Sequence, residues 1–405
     1  MQHSASPNLL VALLCATAAS AADWPNWRGP DHNGISSESA WLARWPAEGP
    51  KRLWKASVGT GFSSIAVSAG RAYTMGNEKD TDSVFCFDAA TGNQIWRQSY
   101  PCPMDPHFYE GGTSATPTVE GGRVFTWSKK GDLFCFDAAS GKIIWQKNLA
   151  GEIGAAAPTW GFSSSPFIAG NLLLLNVGAS GAAVDKTTGK TIWTSGAAAG
   201  GYSTPVPASF GGQPAVAMTI KDAVVGLDIA SGKLLWCFPW KSEYDITVAD
   251  NIVAGQKVFV SSFYKHGGAL LQIKDGAVEV LWQNKEMGNH VNSCVLLDGF
   301  LYGVDGAAGP APSATMKCLD FQTGAVKWTF KDLGGGSFMV AAGKFIALSD
   351  KGELMTAEVS PAGFKPISRA QVLGGRCWTP PVLANGLIYC RNAKGDLACF
   401  DVRAN

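Results

Sequence analysis

The sequence of 405 residues is poor in charge, because Asp, Glu, Lys and Arg together make up 16% of it and the formal net charge is +1. This balance gives no electrostatic reason to expect nucleic acid or an anionic membrane as a partner. No apolar run is long enough to cross a bilayer as a helix, so we expect no transmembrane segment. Complete Gly-x-x-x-x-Gly-Lys-(Ser/Thr) loops, Gly-x-Ser-x-Gly elbows and His-Glu-x-x-His pairs are absent as well, which removes the linear signatures of several enzyme classes.

The first residues have the pattern of a secretory signal. Leu9–Ala19 is an apolar run of 11 residues, and the small residues after it favour cleavage near Ala21 or Ala22. Cys15 lacks the small preceding residue that a lipid-anchor motif requires, so lipidation is the weaker alternative. We therefore predict that residues 1–22 are a signal peptide and that the chain is exported to the periplasm or the extracellular space.

The sequence is rich in glycine and tryptophan, with 48 and 15 residues, because one short pattern recurs. Asp-x-x-(Thr/Ser)-Gly-x-x-x-Trp occurs five times, at Asp88–Trp96, Asp137–Trp145, Asp185–Trp193, Asp228–Trp236 and Asp320–Trp328. Apolar runs flank each copy, which is typical of a β-hairpin whose Asp caps the turn and whose Gly takes a positive φ.

Three degenerate copies complete the series. They begin at Lys274, Glu358 and Asp401, so that neighbouring copies are 38 to 49 residues apart. Eight units of this length, each with two further β runs upstream of the hairpin, predict an all-β fold, an eight-bladed β-propeller of four-stranded blades. The last copy lacks its final strand, whereas Trp54 lies in a strand without a turn before it; we predict that this N-terminal strand completes the C-terminal blade and closes the ring.

The predicted organisation has three parts. Residues 1–22 are the signal, residues 23–50 are a Trp-rich extension that packs on the ring, and residues 51–405 are the propeller. We expect a monomer.

Cysteine usage fits packing better than cross-linking. Cys86, Cys135, Cys318 and Cys399 all stand two residues before the repeat Asp, where other copies have Ala or Gly, so the column demands a small buried side chain. The pairing of five further cysteines stays open; these are Cys102, Cys237, Cys294, Cys377 and Cys390. No Cys-x-x-Cys motif supports a zinc or redox site.

The copies resemble the repeats of pyrroloquinoline-quinone-type (PQQ-like) propellers, the group that contains quinoprotein alcohol dehydrogenases and the outer-membrane assembly lipoprotein. Segments such as Trp24–Pro30, Pro239–Asp245 and Gly375–Pro380 look like a planctomycete-type secreted subgroup. For a quinoprotein the resemblance implies PQQ, a calcium ion and a disulfide between adjacent cysteines. The sequence has no adjacent cysteine pair, so the resemblance supports the fold more than this chemistry. We predict no metal site and keep PQQ and calcium as possibilities implied by the resemblance alone.

Strand order places the candidate site on one face of the ring. The loops that follow the Trp strands should meet near the axis, where aromatic and convergent polar groups would form a binding funnel. The candidate ligand-binding residues are Tyr109, Trp160, Tyr202, Tyr244, Asp245, His290, Asn292, Arg376 and Trp378. Any one of them also fits an ordinary role in turn packing, and no catalytic residue can be assigned.

Two functions remain open. The first is an exported, non-catalytic propeller that binds a protein, glycan or small-molecule ligand on its axial face as a scaffold or assembly factor. The second is a PQQ- or metal-dependent oxidoreductase with a reduced site, in which His290 would act as acid or base and Asp245 as base or metal ligand.

Overall fold

A computed structural model of the chain describes residues 22–264, 266–308 and 314–404. The predicted signal peptide lies outside the described residues except for Ala22. Two strands precede the repeats, β1 (Ile35–Ser36) and β2 (Lys51–Ser57). In the part of the chain that the structure covers, no helix has the length and apolar character needed to cross a membrane.

The strands of each blade are antiparallel and follow one another in the chain, except that the eighth blade also includes β2. The first four blades contain β3 (Ala66–Ser68), β4 (Arg71–Glu78), β5 (Thr81–Asp88), β6 (Gln94–Pro101), β7 (Thr118–Glu120), β8 (Arg123–Trp127), β9 (Asp132–Asp137), β10 (Ile143–Asn148), β11 (Phe167–Ala169), β12 (Leu172–Leu175), β13 (Ala182–Asp185), β14 (Thr191–Thr194), β15 (Val206–Phe210), β16 (Gln213–Thr219), β17 (Ala223–Asp228) and β18 (Leu234–Pro239). A short helix, α1 (Leu149–Ile153), follows β10.

The other four blades contain β19 (Ile252–Ala254), β20 (Lys257–Ser262), β21 (Gly267–Lys274), β22 (Ala277–Asn284), β23 (Val295–Leu297), β24 (Phe300–Asp305), β25 (Thr315–Asp320), β26 (Val326–Phe330), β27 (Ser337–Ala341), β28 (Lys344–Leu348), β29 (Glu353–Glu358), β30 (Pro366–Gln371), β31 (Val382–Ala384), β32 (Leu387–Arg391) and β33 (Asp396–Asp401). A short 3-10 turn, Glu243–Asp245, precedes β19. The described strands therefore form eight blades, which confirms the predicted fold.

The ring closes through the N-terminal strand, as predicted. Strand β2 pairs antiparallel with β33 and completes the eighth blade, so that Trp54 lies opposite Cys399. This pairing gives the last blade its fourth strand, so β33 is hydrogen-bonded to a strand on both sides.

The repeat tryptophans join each blade to the next. Six of them donate the indole N–H to a carbonyl oxygen beside the next Asp turn or its equivalent, at 2.8 to 3.2 Å: Trp54 to Ala89, Trp96 to Ala138, Trp145 to Lys186, Trp193 to Ile229, Trp282 to Phe321 and Trp328 to Ser360. Trp236 is not one of these six. Its ring packs over Gly226, where a β carbon would lie 2.0 Å from the indole nitrogen. The Trp of the repeat is therefore a contact between blades as well as the end of a hairpin.

The glycine of the repeat is required for two reasons. At Gly141 the backbone φ is +72°, and a β carbon there would lie 2.6 Å from the Trp96 ring of the preceding blade.

The apolar cores also join neighbouring blades. Each of these clusters of buried side chains contains residues of two adjacent blades.

We expect Gly141→Ala to lower the free energy of unfolding by about 2 kcal/mol, because the left-handed backbone and the Trp96 ring both oppose a β carbon. The matched control is Gly170→Ala, where φ is +58° but nothing lies within 4 Å of the added carbon. The control should lose about 1 kcal/mol, the backbone cost alone. Urea denaturation measures both, and equal losses would contradict a packing role for the Trp96 ring.

The cysteines of the repeat column are buried, as the packing interpretation predicts. Among the residues that the structure describes, all nine cysteines are free thiols, including the five whose pairing the sequence left open. Cys237 is exposed and the other eight are buried.

Residues 23–36, here called the axial segment, run along the inner strands of the ring. Trp24 pairs through its backbone with Val67 of the first blade. At the other end β1 pairs in parallel with β27 of the seventh blade. Between them, the His32 ring packs edge to face on Phe167 of the third blade at 4.9 Å. The axial segment thus crosses the central channel from one side to the other.

Candidate functional site: an aromatic funnel on the ring axis

A chain of side-chain hydrogen bonds links the blades around the axis. Two residues before an inner strand, the backbone N–H of one blade donates to a side-chain oxygen of the next. The donor and acceptor pairs, at 2.7 to 3.0 Å, are Ser64 to Thr116, Thr116 to Ser165, Ser165 to Thr204, Thr204 to Asp250, and Asp250 to Ser293. These bonds fix the backbone from which the funnel residues project.

The funnel itself is a cavity of about 350 Å³ on the predicted axial face. Its lining comes from the axial segment and from loops of seven blades: Trp27, Phe62, His107, Phe108, Tyr109, Ser114, Trp160, Ser163, Ser165, Tyr202, Thr204, Ile246, Val248, Asp250, Tyr264, His290, Val291, Ser293, Ala307, Ala308, Arg376, Trp378, Thr379 and Pro380. Apolar and aromatic side chains predominate, and such concave surfaces are typical of small-ligand sites.

Six of the nine residues proposed from the sequence line this cavity: Tyr109, Trp160, Tyr202, His290, Arg376 and Trp378. The other three lie apart from it. Tyr244 is 66% exposed on the rim, and Asp245 forms an ion pair with Lys221 at 3.5 Å. Asn292 is buried beneath the cavity and donates its amide N–H to the Gly336 carbonyl oxygen.

Aromatic rings form a continuous arc along one wall of the funnel. The ring of Phe62 lies 5.1 Å from Trp378 and 5.8 Å from Tyr109. Tyr109 in turn contacts Trp160 edge to face at 6.1 Å, and the Tyr202 hydroxyl accepts a hydrogen bond from the Trp160 backbone N–H. Since each ring is held by its neighbours, the wall is formed before any ligand arrives.

Arg376 and Trp378 are engaged within the protein. The guanidinium lies 4.5 Å above the Trp378 ring, and the same ring stacks on Phe62. Arg376 also donates to the Glu110 carboxylate at 2.7 Å. This stack connects the eighth blade to the loop after β6, and it leaves Trp378 little free ring face for a ligand.

Lys129 supports the same loop from inside. Lys129 and Lys130 stand beside the turn residue Gly131, a pattern typical of a solvated hairpin tip, but the Lys129 side chain is buried. Its ammonium group donates to the Met104 carbonyl oxygen at 3.1 Å and lies 3.7 Å from Asp105. The loop that follows β6 folds over this lysine, which a hairpin pattern alone does not reveal.

A second buried group anchors the start of that loop. The Asn77 amide donates to Asp82 at 2.6 Å and to the Cys102 carbonyl oxygen at 2.8 Å. Burial raises the pKa of the Asp82 carboxyl to about 6. The start of the loop carrying Tyr109 is thus held by hydrogen bonds from the Asn77 and Lys129 side chains.

His290 is a poor candidate for an acid or base. Its Nδ1 accepts the Ala308 backbone N–H at 3.1 Å, so in the neutral ring the proton is on Nε2, which lies 3.1 Å from the Tyr264 hydroxyl. Burial lowers the pKa of His290 to about 4. With its acceptor nitrogen occupied, the neutral ring has no free lone pair for a substrate proton.

We expect the free energy of unfolding of His290→Gln to fall less steeply than that of the wild type as the pH is lowered. The folded-state pKa of about 4 lies below the ordinary 6.5, so His290 contributes stability above pH 6.5 that is lost as the pH falls toward 4. The wild type should lose about 3 kcal/mol more than the variant over this range, by the pKa shift. Urea denaturation at a series of pH values measures the difference, and parallel curves would contradict a neutral buried His290.

Asp250 is a funnel residue that the sequence analysis missed. One carboxylate oxygen accepts the Thr204 N–H at 2.7 Å and the other accepts the Trp27 indole N–H at 2.5 Å. Burial raises its pKa, and the nearby Arg28 guanidinium opposes that shift. The sequence did contain a signal, because Asp250 stands two residues before an inner strand, a position where five other blades have Ser or Thr.

The funnel residues do not fit the calcium and quinone pair that the resemblance implied. Both oxygens of Asp250 are engaged, and the Glu110 carboxylate is paired with Arg376. In the described ranges no three acidic, histidine or cysteine side chains cluster as a metal site would require. No step of a reaction is therefore assigned to such a group.

Comparisons with solved structures identify the fold but not the function. BamB from Moraxella catarrhalis is 14% identical with a TM-score of 0.62, over 87% of this chain and 99% of that one. Quinohemoprotein alcohol dehydrogenase from Comamonas testosteroni is 12% identical with a TM-score of 0.66, over 94% of this chain and 80% of that one. The computationally designed Ika8 protein is 14% identical with a TM-score of 0.60, over 87% and 100% of the two chains.

No curated protein matches the chain significantly. A family model, described as outer membrane protein assembly factor BamB, matches residues 80–330. This match covers more than half of the chain and contains all five complete copies of the hairpin repeat. The chain belongs to the BamB-like family of PQQ-like propellers.

Proposed function

We propose that this chain is an exported, non-catalytic propeller that takes an uncharged apolar group into its axial funnel. The group belongs to a small ligand or to a side chain of a partner protein, and the propeller acts as a scaffold. The observation that carries the proposal is the aromatic cavity of about 350 Å³ on the axial face. The apolar run Leu9–Ala19 supports export, and the assembly role in the family's description supports a scaffold.

The charges of the funnel support an uncharged ligand. Asp250 and Arg376 are the lining residues of the Asp, Glu, Lys and Arg types, and each has its partners within the protein. A charged ligand would lose its hydration in the funnel without gaining a free counter-charge, which is costly. An apolar group loses nothing comparable and gains about 25 cal/mol for each Å² removed from water.

Two exposed aromatic rings on the rim support contact with a partner protein. Phe108 is 89% exposed and Tyr244 is 66% exposed, and both are held at a φ of +64°. A backbone conformation that is unfavourable for these residue types is often kept where it presents a side chain for function.

The alternative, a quinone-dependent oxidoreductase, is supported by the likeness to quinohemoprotein alcohol dehydrogenase. At 12% identity that likeness concerns the fold alone. The engaged carboxylates of Asp250 and Glu110 favour the binding role instead.

The proposal is tested with two probes that differ in charge. N-phenyl-1-naphthylamine is uncharged and fluoresces in apolar surroundings, and anilinonaphthalene sulfonate adds a sulfonate to the same ring system. The uncharged probe should bind saturably with one molecule per chain, and the sulfonate at least about tenfold more weakly. Equal binding of both, or no saturable binding of the uncharged probe, would contradict the proposal.

A further inference from the structure

Trp27 of the axial segment separates two cavities. It lines the funnel of about 350 Å³ and also a second cavity of about 30 Å³, which lies deeper along the axis. Val291, Ser293 and Pro380 line both spaces as well. Trp27 therefore lies at the boundary between the two spaces, and its indole is the largest of the side chains that line both.

The Trp27 ring is held in place by hydrogen bonds on its own side chain and on the next residue. The Trp27 indole N–H donates to the buried Asp250 carboxylate at 2.5 Å. The next residue, Arg28, is 8% exposed and donates to the Cys294 carbonyl oxygen at 2.6 Å and the Asn33 carbonyl oxygen at 3.0 Å. A ring with these anchors cannot move aside without breaking a charge-assisted hydrogen bond.

Asp250 is suited to this anchoring role by its second oxygen. In the neighbouring blades Thr204 and Ser293 occupy the same column with a single hydroxyl, which accepts a backbone N–H from the adjacent blade. Asp250 accepts the equivalent N–H with one oxygen and has the other free for the Trp27 indole. The one carboxylate of the column thus stands where the axial segment needs a hydrogen-bond acceptor.

We propose that Trp27 is the specificity-determining floor of the funnel and limits the length of the apolar group that enters it. The inference rests on the proposed function of the funnel as a binding site. It assigns the N-terminal extension a part in ligand recognition, since Trp27 belongs to the axial segment and lines the funnel.

A homologous series of ligands tests whether Trp27 limits the length of the bound group. The 4-alkylphenols from ethyl to octyl are measured by displacement of N-phenyl-1-naphthylamine. In the wild type each added methylene should tighten binding about fourfold until the alkyl tail reaches Trp27, after which the gain should stop. In Trp27→Leu the gain should continue to longer tails.

Trp24→Leu is the matched control. It makes the same substitution in the same segment, but Trp24 lines the second cavity and not the funnel. Its cut-off length should equal that of the wild type. A shift as large as that of Trp27→Leu would overturn the inference, because the effect would then come from loosening of the axial segment.

The other possible results for the Trp27 variants also test the inference. If Trp27→Leu is folded by circular dichroism and keeps the wild-type cut-off, Trp27 is not the floor. If Trp27→Leu does not fold, Trp27→Phe provides the same measurement with a smaller reduction, and an unchanged cut-off there overturns the inference too. Failure of the wild type to bind the uncharged probe would instead refute the proposed function itself.

Discussion

Arg391→Met is expected to lower the free energy of unfolding by about 4 kcal/mol, although Arg391 does not line the funnel. Arg391 lies in β32 of the eighth blade and is fully buried. One guanidinium nitrogen donates to the carbonyl oxygens of Ser63 and Met75 at 2.8 and 2.7 Å, and another lies 3.3 Å from that of Gly59. These acceptors belong to the first blade and the segment leading into it, so Arg391 joins the two ends of the ring.

Two opposing effects determine the size of this loss. Burial lowers the pKa of Arg391 to about 9, which shows that the charged form is penalised, and methionine removes that penalty. Against this, the carbonyl oxygens of Ser63, Met75 and Gly59 lose a donor, at about 1 to 3 kcal/mol for each buried one. The second effect is the larger.

Arg369→Met is the control for this substitution. Arg369 is a surface residue that pairs with Glu353 at 2.7 Å and with Asp332 at 3.0 Å. Exposed ion pairs contribute little, so the control should lose less than about 1 kcal/mol. Urea denaturation compares the two variants, and similar losses would contradict the role of Arg391 in ring closure.

Ser114→Trp is expected to weaken binding of N-phenyl-1-naphthylamine at least about 100-fold, or about 2.7 kcal/mol. Ser114 lines the funnel on the second blade and is half-buried. An indole at this position would occupy the volume that the probe needs. Because Ser114 lines the cavity, the new ring would extend into the funnel rather than into the packed core.

The matched control for the blocking variant is Ala230→Trp. Ala230 is exposed in an Asp turn of the fourth blade, on the opposite face of the ring. It adds a similar bulk without reaching the funnel and should leave the affinity unchanged. If Ser114→Trp folds with wild-type stability and still binds the probe with wild-type affinity, the funnel is not the binding site.

The architecture could be predicted because the sequence repeats. Each Asp turn and each Trp strand recurs for a physical reason: the Asp caps the turn, the Gly accepts the Trp of the preceding blade, and the indole donates to a carbonyl beyond it. Such contacts between successive blades demand the same residue types at the same spacing. Strand order then places the loops on the two faces, which is why most of the proposed aromatic residues line the funnel.

The features that could not be predicted depend on single contacts outside the repeat pattern. The axial segment has no periodicity, so its path through the channel and the position of Trp27 follow from single contacts such as the one with Asp250. Lys129 resembles any exposed lysine beside a turn until the loop after β6 is seen to cover it. Strand order predicts that Asp245 lies near the axis. The turn at Tyr244, with a φ of +64°, instead places the Asp245 carboxylate beside Lys221.

The central claim, that the funnel is a binding site for an uncharged apolar group, is tested most directly by locating such a ligand. A crystal structure of the chain with 6-bromo-2-naphthol, with data collected at the bromine edge, would show where the ring system lies. We predict a single strong anomalous peak within the funnel, in van der Waals contact with Trp27, Trp160 or Tyr202. A peak on the outer strands or on the opposite face, with none in the funnel, would contradict the claim.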